Sequence, residues 1–426
     1  MTKQFSIAVT GQSLIKHDIR DIKRQGFLQV QGVIGQADFA FTNFESTIAG
    51  AHGGWPLKGS YFGASHPVVL DTLRSIGFQG LSLSNNHAFD LGPSGVLSTL
   101  EEVEARGFVH AGAGRNRQEA GLPGFGSFAG RDIALVAMDG GPGPDFMYAA
   151  DAEPGRSERP GINRLKLTRL LDVDDEAFGQ LSAIRDRLGY TEMDLGNDSQ
   201  PDDVAPVDTD SEIAIARALF RRSKSFGRGV KIDVGDLARN LSAIATAAEN
   251  GDHVIAYLHH HHWASDWYQV PQWVSGVARQ CIDAGAAMFV SHGAPVLQPV
   301  EIYQGRPIFY SLGNFIFHIR AGSKWTAREI WESVIGLCSF NGDGSLAGMT
   351  FYPVIIGGHD ALQNDALEKR LAPELAHGEA AERILARFQQ QSEQVGTPIR
   401  IAGGVGFYEP NAGEVENANP GRLRES

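Results

Sequence analysis

Short apolar runs alternate along this chain with segments of helical periodicity. The first apolar runs span residues 5–10, 38–42, 81–83, 109–111 and 133–138, and the later ones span 254–258, 287–290, 301–303, 308–311 and 346–356. The helical segments span residues 18–26, 67–77, 95–107, 237–250, 273–284 and 380–390. Runs of strand length that alternate with amphipathic helices predict a layered α/β fold.

The apolar run at residues 254–258 ends in four consecutive histidines, His259 to His262. Imidazole at the end of a buried strand can hold a metal ion or move a proton near neutral pH. Because side chains alternate along a strand, His259 and His261 are expected on one face, with His260 and His262 on the other. The alternative interpretations of this run are a solvated polar loop, or core histidines that are satisfied by backbone carbonyls.

Other apolar runs also end in polar clusters. These clusters are Gly11-Gln12, Asn43 with Glu45, Asn86 with His87, and His292. In open α/β sheets the strand ends form the ligand crevice, so these side chains are expected to meet there. A carboxylate, amide oxygens and imidazoles suit a first-row divalent metal, or calcium if oxygens dominate. If Asp90 reaches the ring of His87, it would fix the tautomer and support an acid/base role.

The segment from residue 140 to about 235 breaks the alternating pattern. It opens with Gly-Gly-Pro-Gly-Pro, which prevents regular structure. Residues 191–212 contain eight acidic side chains and no basic one. We interpret residues 140–235 as a mobile insertion or lid within a domain covering residues 1–360. A helix is predicted at 211–222, leading into a basic cluster of Arg221, Arg222, Lys224 and Arg228. Residues 361–426 are expected to form a C-terminal helix and a loose tail.

Composition limits the classes of partner. The chain has 426 residues, 42% of them hydrophobic, and a formal net charge of −13. That balance argues against nucleic acid or an anionic membrane as the main partner, although a few local cations could hold an anionic substrate.

Cys281 and Cys338 lie in apolar segments and are expected to be buried free thiols. No signal-peptide or membrane-spanning run is visible, so a cytoplasmic location is expected.

The longer motifs resemble the CapA family, also called the poly-γ-glutamate synthesis protein family, which is related to the calcineurin-like metallophosphoesterases. The resemblance spans residues 7–317 and implies a four-layer α/β/β/α sandwich with a metal at the strand ends. The matching motifs are Gly11-Gln12, Asn43-Phe44-Glu45, residues 85–92 (NNHAFDLG), residues 282–286 (IDAGA), Ser291-His292-Gly293 and residues 304–315 (QGRPIFYSLGNF).

The resemblance implies metal ligands at Glu45, Asn86, one histidine of the 259–262 run, and His292. Alignment on the strand favours His259 and, by face, His261, whereas alignment on the following tryptophan favours His262. Two positions depart from the family pattern, because Gln12 stands in place of an aspartate and Pro295 in place of a histidine. In the related phosphoesterases both missing residues bind the same ion of a pair. We therefore expect one divalent ion, with Mn, Zn, Fe and Ca not distinguished.

The remaining site residues are expected to be catalytic or to contact substrate. His87, Asp90 and His261 are candidate catalytic residues, and the candidate substrate contacts are Asn43, Trp55, Lys58 and Arg164. The first hypothesis is a metal-dependent hydrolase that uses metal-activated water and a histidine acid on a phosphoester or on an amide of a glutamate- or peptide-like substrate. The alternatives are a metal-assisted isomerase or epimerase with paired histidines, and a non-catalytic accessory of capsule synthesis. A homo-oligomer is compatible with each hypothesis.

Overall fold

A computed structural model describes residues 4–59, 62–198, 208–216, 218–250, 253–319, 325–357 and 370–410. The first strands are β1 (Phe5–Val9), β2 (Gln12–Leu14), β3 (Phe39–Asn43), β4 (Thr47–Ile48), β5 (Ala64–Ser65), β6 (Gly80–Ser82), β7 (Val109–Ala111), β8 (Ala113–Gly114), β9 (Gly124–Phe128), β10 (Arg131–Asp139), β11 (Gly161–Ile162) and β12 (Leu167–Val173). The later strands are β13 (Glu212–Ile215), β14 (Ala218–Arg222), β15 (Gly227–Ile232), β16 (His253–His259), β17 (Met288–His292), β18 (Val300–Tyr303), β19 (Arg306–Phe309), β20 (Asn314–Phe317), β21 (Glu332–Phe340), β22 (Leu346–Ile356), β23 (Pro373–Leu375), β24 (Arg400–Ala402) and β25 (Val405–Tyr408).

The α-helices are α1 (Gln25–Ile34), α2 (Val68–Ile76), α3 (Gly92–Ala105), α4 (Arg117–Ala120), α5 (Asp175–Leu188), α6 (Glu192–Asp198), α7 (Val234–Asn250), α8 (Gln272–Asp283) and α9 (Gly378–Gln394). Two short 3₁₀ helices cover Asp145–Met147 and Arg328–Trp331. The α/β alternation predicted from the sequence is therefore present.

Two large sheets form the centre of the molecule. One has nine strands in the order β24-β25-β22-β21-β1-β3-β6-β7, with β23 paired to β22. The other has six strands in the order β18-β19-β17-β16-β10-β9. Strands β1, β3, β6 and β7 run parallel in the first sheet, as do β10, β16, β17 and β19 in the second. Each parallel set therefore brings its carboxyl ends to one edge.

The central strands β1, β3, β16 and β17 are buried on both faces of their sheets, which is why they read as nearly continuous apolar runs. On β1, Ala8 packs towards helices α1, α2 and α3, while Ile7 and Val9 face the second sheet. On β16, Tyr257 faces the first sheet, while Ala256 packs towards α7 and α8. The layers thus run helix, sheet, sheet, helix, and the predicted four-layer α/β/β/α sandwich is confirmed.

The segment between β10 and β16 carries a sheet of its own, in the order β13-β14-β12-β15. The helix predicted at 211–222 is wrong, because β13 and β14 pair there as an antiparallel hairpin. Pairing of β14 with β12 and the β-branched Ile213 and Ile215 outweigh the helical preference of the alanines. Part of the acidic stretch, residues 199–207, lies outside the described residues. Whether the segment moves as a lid stays a prediction.

Of three smaller expectations, the structure contradicts one and confirms two. The helix predicted at 18–26 is wrong, because the helix here is α1, which buries Phe27, Val30, Val33 and Ile34. The predicted terminal helix is present as α9, and β23 and β25 beside it add to the first sheet. Both cysteines are free and buried, as predicted. The final residues, 411–426, lie outside the described part of the chain.

Candidate metal centre

Three neighbouring strands of the second sheet end at the same level. In the parallel register, Asp139 at the end of β10 lies opposite His259 of β16, which lies opposite His292 of β17. The first sheet contributes the chain that follows β3, where Glu45 donates its backbone N–H to Ser13. The strand ends of two separate sheets therefore supply one buried group of polar side chains.

Glu45, His259 and His261 form the centre of this group. One ligand atom from each lies within 4.8 Å of the others. Nε2 of His259 is 3.5 Å from Oε1 of Glu45, and the two imidazole rings are 5.0 Å apart between centroids. His259 and Glu45 are buried, and His261 is half-buried. A carboxylate and two imidazoles at this spacing match the ligands of a first-row divalent cation.

The four predicted metal ligands share one further property. Each has a buried oxygen or nitrogen without a hydrogen-bond partner among the described residues; these atoms are Oε2 of Glu45, Oδ1 of Asn86, Nε2 of His259 and Nε2 of His292. Buried polar atoms in folded proteins are usually paired, since leaving one unpaired costs about 1–3 kcal/mol. Once the Nε2 proton of His259 is released, all four atoms offer lone pairs, so the residues present fit a bound cation.

The opposite ring nitrogens of the histidines are held by other side chains. Nδ1 of His259 lies 3.0 Å from Oδ1 of Asp139 and donates to that carboxylate, which leaves Nε2 as the ring atom that can bind a metal. Nδ1 of His292 lies 3.2 Å from Oη of Tyr257. Asp139 also accepts from Gly141 N at 3.0 Å and from Tyr148 Oη at 3.1 Å. Partners of this kind orient metal-binding histidines.

Sequence reasoning missed both Asp139 and Tyr257. The predicted strand at 133–138 stops one residue before Asp139, although Asp139 shows the same pattern of a polar residue after an apolar run. Tyr257 lies inside an apolar strand, where nothing separates it from an ordinary core tyrosine. The signal for Asp139 is therefore present in the sequence, whereas Tyr257 requires the three-dimensional register.

The surroundings shift the histidine pKa values in different directions. Burial lowers the pKa of His259, but the hydrogen bond to Asp139 and the nearby carboxylate of Glu45 outweigh it and raise that pKa to about 9. A cation bound at Nε2 takes the place of that second ring proton, so metal binding releases it. Burial and the charge of His259 lower the pKa of His292 to about 3. Burial also lowers the pKa of His261, helped by His259. His261 and His292 are therefore neutral near pH 7, the form that binds a metal.

The histidine run alternates in the way that a strand predicts. His259 and His261 lie on the side of Glu45, whereas His260 and His262 both contact the ring of Trp273. Nε2 of His262 is hydrogen-bonded to the carbonyl of Gly140 at 3.0 Å. Of the two alignments left open by the sequence, the geometry favours His259 with His261 over His262.

His87 and Asp90 form a buried pair beside the cluster. Nδ1 of His87 is 2.7 Å from Oδ2 of Asp90, so Asp90 does reach the ring. Lys58 lies 3.2 Å from the other carboxylate oxygen of Asp90 and also donates to the carbonyl of Asn86. The charges of His87 and Lys58 both lower the pKa of His261. An imidazole fixed through Nδ1 presents Nε2 for proton transfer.

The other predicted substrate contacts are dispersed. Asn43 is fully buried, and its Oδ1 accepts a hydrogen bond from Nδ2 of Asn85. Oδ1 of Asn85 in turn accepts a hydrogen bond from the backbone N–H of His87. Trp55 is 76% exposed. Arg164 lies in a separate cavity of about 340 Å³, where it pairs with Asp236 at 2.7 Å. Asn85 belongs to one of the family motifs, and the structure shows that it ties the strand end after β3 to His87.

The two departures from the family pattern are both buried. Gln12 donates through Nε2 to Oδ1 of Asn314 at 3.1 Å, and this contact connects β2 with β20. Pro295 is buried after β17, and its side chain offers no ligand atom. Oε1 of Gln12 is buried and unpaired among the described residues, as Oδ1 of Asn86 is, so the expectation of a single ion stays open as a prediction.

The fold and the site together define a four-layer α/β protein with a candidate metal centre at its strand ends. The family described as "Bacterial capsule synthesis protein PGA_cap" matches residues 6–319. The chain belongs to this family. Among the described residues, no helix combines the length and the apolar character needed to cross a membrane.

Individual relatives are similar over different shares of the chain. An uncharacterized protein, y4sH, of Sinorhizobium fredii is 28% identical over 95% of this chain and 92% of its own length. Capsule biosynthesis protein CapA of Bacillus anthracis is 38% identical over 74% of this chain and 60% of its own length. A solved 5'-nucleotidase precursor from Thermus thermophilus has a TM-score of 0.37 at 10% identity, covering 90% of this chain and 59% of that one.

Proposed function

We propose that this protein is a metal-dependent hydrolase that acts on an amide bond of a glutamate- or peptide-like substrate, or on a phosphoester. The observation that carries the proposal is the cluster of Glu45, His259 and His261 beside the His87–Asp90 pair. It joins a cation-binding set of ligands to an oriented acid/base group. Together, those two elements are sufficient to hydrolyse a stable bond.

Glu45, Asn86, His259 and His292 are proposed to hold one divalent ion, because each has an unpaired buried ligand atom. His261 completes the set or faces the substrate. A bound divalent ion would polarise a carbonyl or phosphoryl oxygen and acidify a water molecule. Asp139 and Tyr257 occupy the Nδ1 atoms of His259 and His292, which leaves Nε2 of each ring for the ion.

His87 is proposed to act as the general acid. Asp90 accepts from Nδ1 of His87, so the proton available to the substrate is on Nε2 of the imidazolium. That proton passes to the leaving nitrogen or oxygen as its bond to the substrate breaks. Lys58 beside Asp90 holds the carboxylate in place. General acid catalysis of this kind contributes about 10²–10⁴-fold to a rate.

The amide substrate is favoured over the phosphoester. A symmetric clamp on a phosphoryl group uses two ions, and Gln12 and Pro295 stand where ligands of a second ion are expected. The family description and the name of the Bacillus anthracis relative both refer to capsule synthesis. A role in building or trimming a capsule polymer made of glutamate is consistent with those names.

A second candidate is an isomerase or epimerase. It is favoured by one observation, namely that His87 acts electrostatically on His261, so two imidazoles lie near the same space. One would remove a proton next to a carbonyl and the other would return it. Incorporation of solvent deuterium at that carbon with no bond broken would support this candidate. If neither chemistry occurs and variants of His87 leave capsule formation intact, a non-catalytic accessory role is favoured.

The test is turnover of a substrate panel by full-length, metal-loaded protein. Glutamate oligomers, peptides and phosphoesters are assayed for release of free amine or phosphate. We expect release with the native protein, loss of at least about 100-fold with Glu45→Gln or His87→Gln, and no change with His377→Gln, an exposed histidine at the start of α9. A native protein with no release from any substrate would contradict the proposal.

A further inference from the structure

The inserted sheet forms one wall of a groove that opens beside the metal centre. The groove has a volume of about 770 Å³. Its other wall is the chain after β16, including His261 of the metal cluster, and the start of α8 at Trp273. A ligand in this groove would therefore touch both the insertion and a residue of the candidate centre.

The strand register shows which side chains of the insertion face the groove. In the antiparallel pair β12–β15, Arg169 lies opposite Val230, and Leu171 lies opposite Arg228. Opposed and alternate residues share a face, so all four project to the same side, and all four line the groove. The other face, with Leu170, packs against Leu195 of α6.

Two of these groove residues are cations without a countercharge in the described part of the chain. Arg221 also lines the groove, but it is paired with Asp172 at 2.7 Å. The side chains of Arg169 and Arg228 make no hydrogen bond or ion pair with any residue that the structure describes, and both residues are exposed. They are diagonal neighbours across one strand pair, in a chain whose net charge is −13. Two exposed guanidinium groups at this spacing can both contact one anionic chain.

We propose that Arg169 and Arg228 determine substrate specificity by binding carboxylates of an acidic chain that lies along this groove. The location of the reacting bond at the metal centre rests on the proposed function, but recognition by the two arginines does not. Leu171 and Val230 between them, with Trp263 across the groove, pack the apolar parts of such a chain. Guanidinium groups are well suited to this task because they bind carboxylates through two parallel hydrogen bonds.

The experiment measures binding to full-length, metal-loaded protein by calorimetry, in a His87→Gln background so that the probe is not consumed. The probe is a pentamer of γ-linked glutamate, and the matched probe is the same pentamer with its free α-carboxylates amidated. The variants are Arg169→Gln, Arg228→Gln and the pair together. The matched control is Lys231→Gln, since Lys231 lies on β15 but on the opposite face from Arg228.

We expect each arginine variant to weaken binding of the acidic pentamer by about fivefold and the double variant by about 25-fold. Binding of the amidated pentamer should be weak in all proteins, and Lys231→Gln should match the parent. The proposal would be overturned if the double variant bound the acidic pentamer with the same dissociation constant as the parent. It would also be overturned if Lys231→Gln lost as much affinity as the arginine variants, or if the parent showed no saturable binding. Because turnover is not measured, failure of the hydrolase proposal would leave this result unchanged.

Discussion

Nδ1 of His259 and Oδ1 of Asp139 lie 3.0 Å apart at the ends of two adjacent parallel strands, and both residues are fully buried. The contact fixes the imidazole so that its other nitrogen faces Glu45. Asp139 is therefore a positioning residue of the centre, and its effect on the site can be measured apart from catalysis.

Asp139→Asn is expected to weaken metal binding by about 10- to 100-fold, the usual effect of removing a carboxylate behind a ligating histidine. Metal affinity is measured by competition with a chromophoric chelator. The control is Asp175→Asn, an exposed position with its side chain 80% accessible, which should bind metal normally. Unchanged affinity in Asp139→Asn, with native circular dichroism, would contradict the positioning role.

The protein purified without added metal or chelator is expected to contain one tightly bound divalent ion per chain. Elemental analysis by mass spectrometry measures the ratio. Glu45→Gln and His259→Gln should reduce it to near zero, because each removes an atom of the buried ligand set. Two equivalents in the native protein would show that Gln12 and Pro295 do not remove the second site.

His87→Gln and Asp90→Asn are expected to separate catalysis from metal binding. Both should keep one equivalent of metal, because neither residue belongs to the proposed ligand set. Turnover should fall by about 10²–10⁴-fold in each, the range for loss of a general acid or of its partner. The measurement combines elemental analysis with steady-state rates on the substrate found in the panel. Loss of metal in parallel with activity would place these residues among the ligands instead.

His318 is expected to make the fold sensitive to acid. Nδ1 accepts from the backbone N–H of Lys16 at 2.9 Å, and Nε2–H donates to the carbonyl of Leu371 at 2.7 Å. This neutral, buried ring has its pKa lowered to about 3, first by burial. The unfolded chain takes up the proton near pH 6.5 and the folded chain does not, so stability falls as the pH drops from 6.5 towards 3.

Well below pH 6.5, His318 is expected to lower the free energy of unfolding by about 1.4 kcal/mol for each unit that the pH falls. Urea unfolding of native protein and of His318→Gln at several pH values measures it. The variant should be less stable at about pH 8, where its hydrogen bonds are poorer, and should show a shallower loss of stability in acid. Equal slopes in the two proteins would contradict the assignment, whatever the other histidines contribute.

Gly293→Ala is expected to be strongly destabilising. Gly293 follows His292 with φ at +132°, and a Cβ there would overlap the carbonyl oxygen of His260. The clash pushes the end of β17 away from β16, with a cost of about 3 kcal/mol or more. Gly276→Ala on an exposed turn of α8 is the control and should stabilise by about 0.5–1 kcal/mol. Thermal unfolding of both variants measures the difference.

The layered fold was predictable from the sequence, as was the proximity of Glu45, His259 and His261, because local pattern and tertiary structure agree at these positions. The strand that ends in His259 is buried on both faces, so its apolar run is visible in the sequence. Glu45, Asn86 and His292 follow apolar runs in the same way. Side-chain alternation also predicts which histidines of the run share a face, since that depends only on strand geometry.

The features that could not be predicted depend on long-range pairing. The hairpin of β13 and β14 has alanines that favour a helix, and its partner strand β12 lies some 40 residues earlier. The sequence places Arg164 with the site, but the structure pairs it with Asp236 on α7. Arg169 and Arg228 do not stand out together in the sequence, because only the register of β12 and β15 places them on one face.

The candidate centre combines Glu45 with His292, two residues that are far apart in the sequence. During synthesis on the ribosome, every residue from Glu45 to His292 must emerge before this set of side chains is complete. A nascent chain that ends before His292 lacks part of the proposed set of metal ligands. Acquisition of the ion would then be a late event in maturation, and would report that both halves of the protein had already come together.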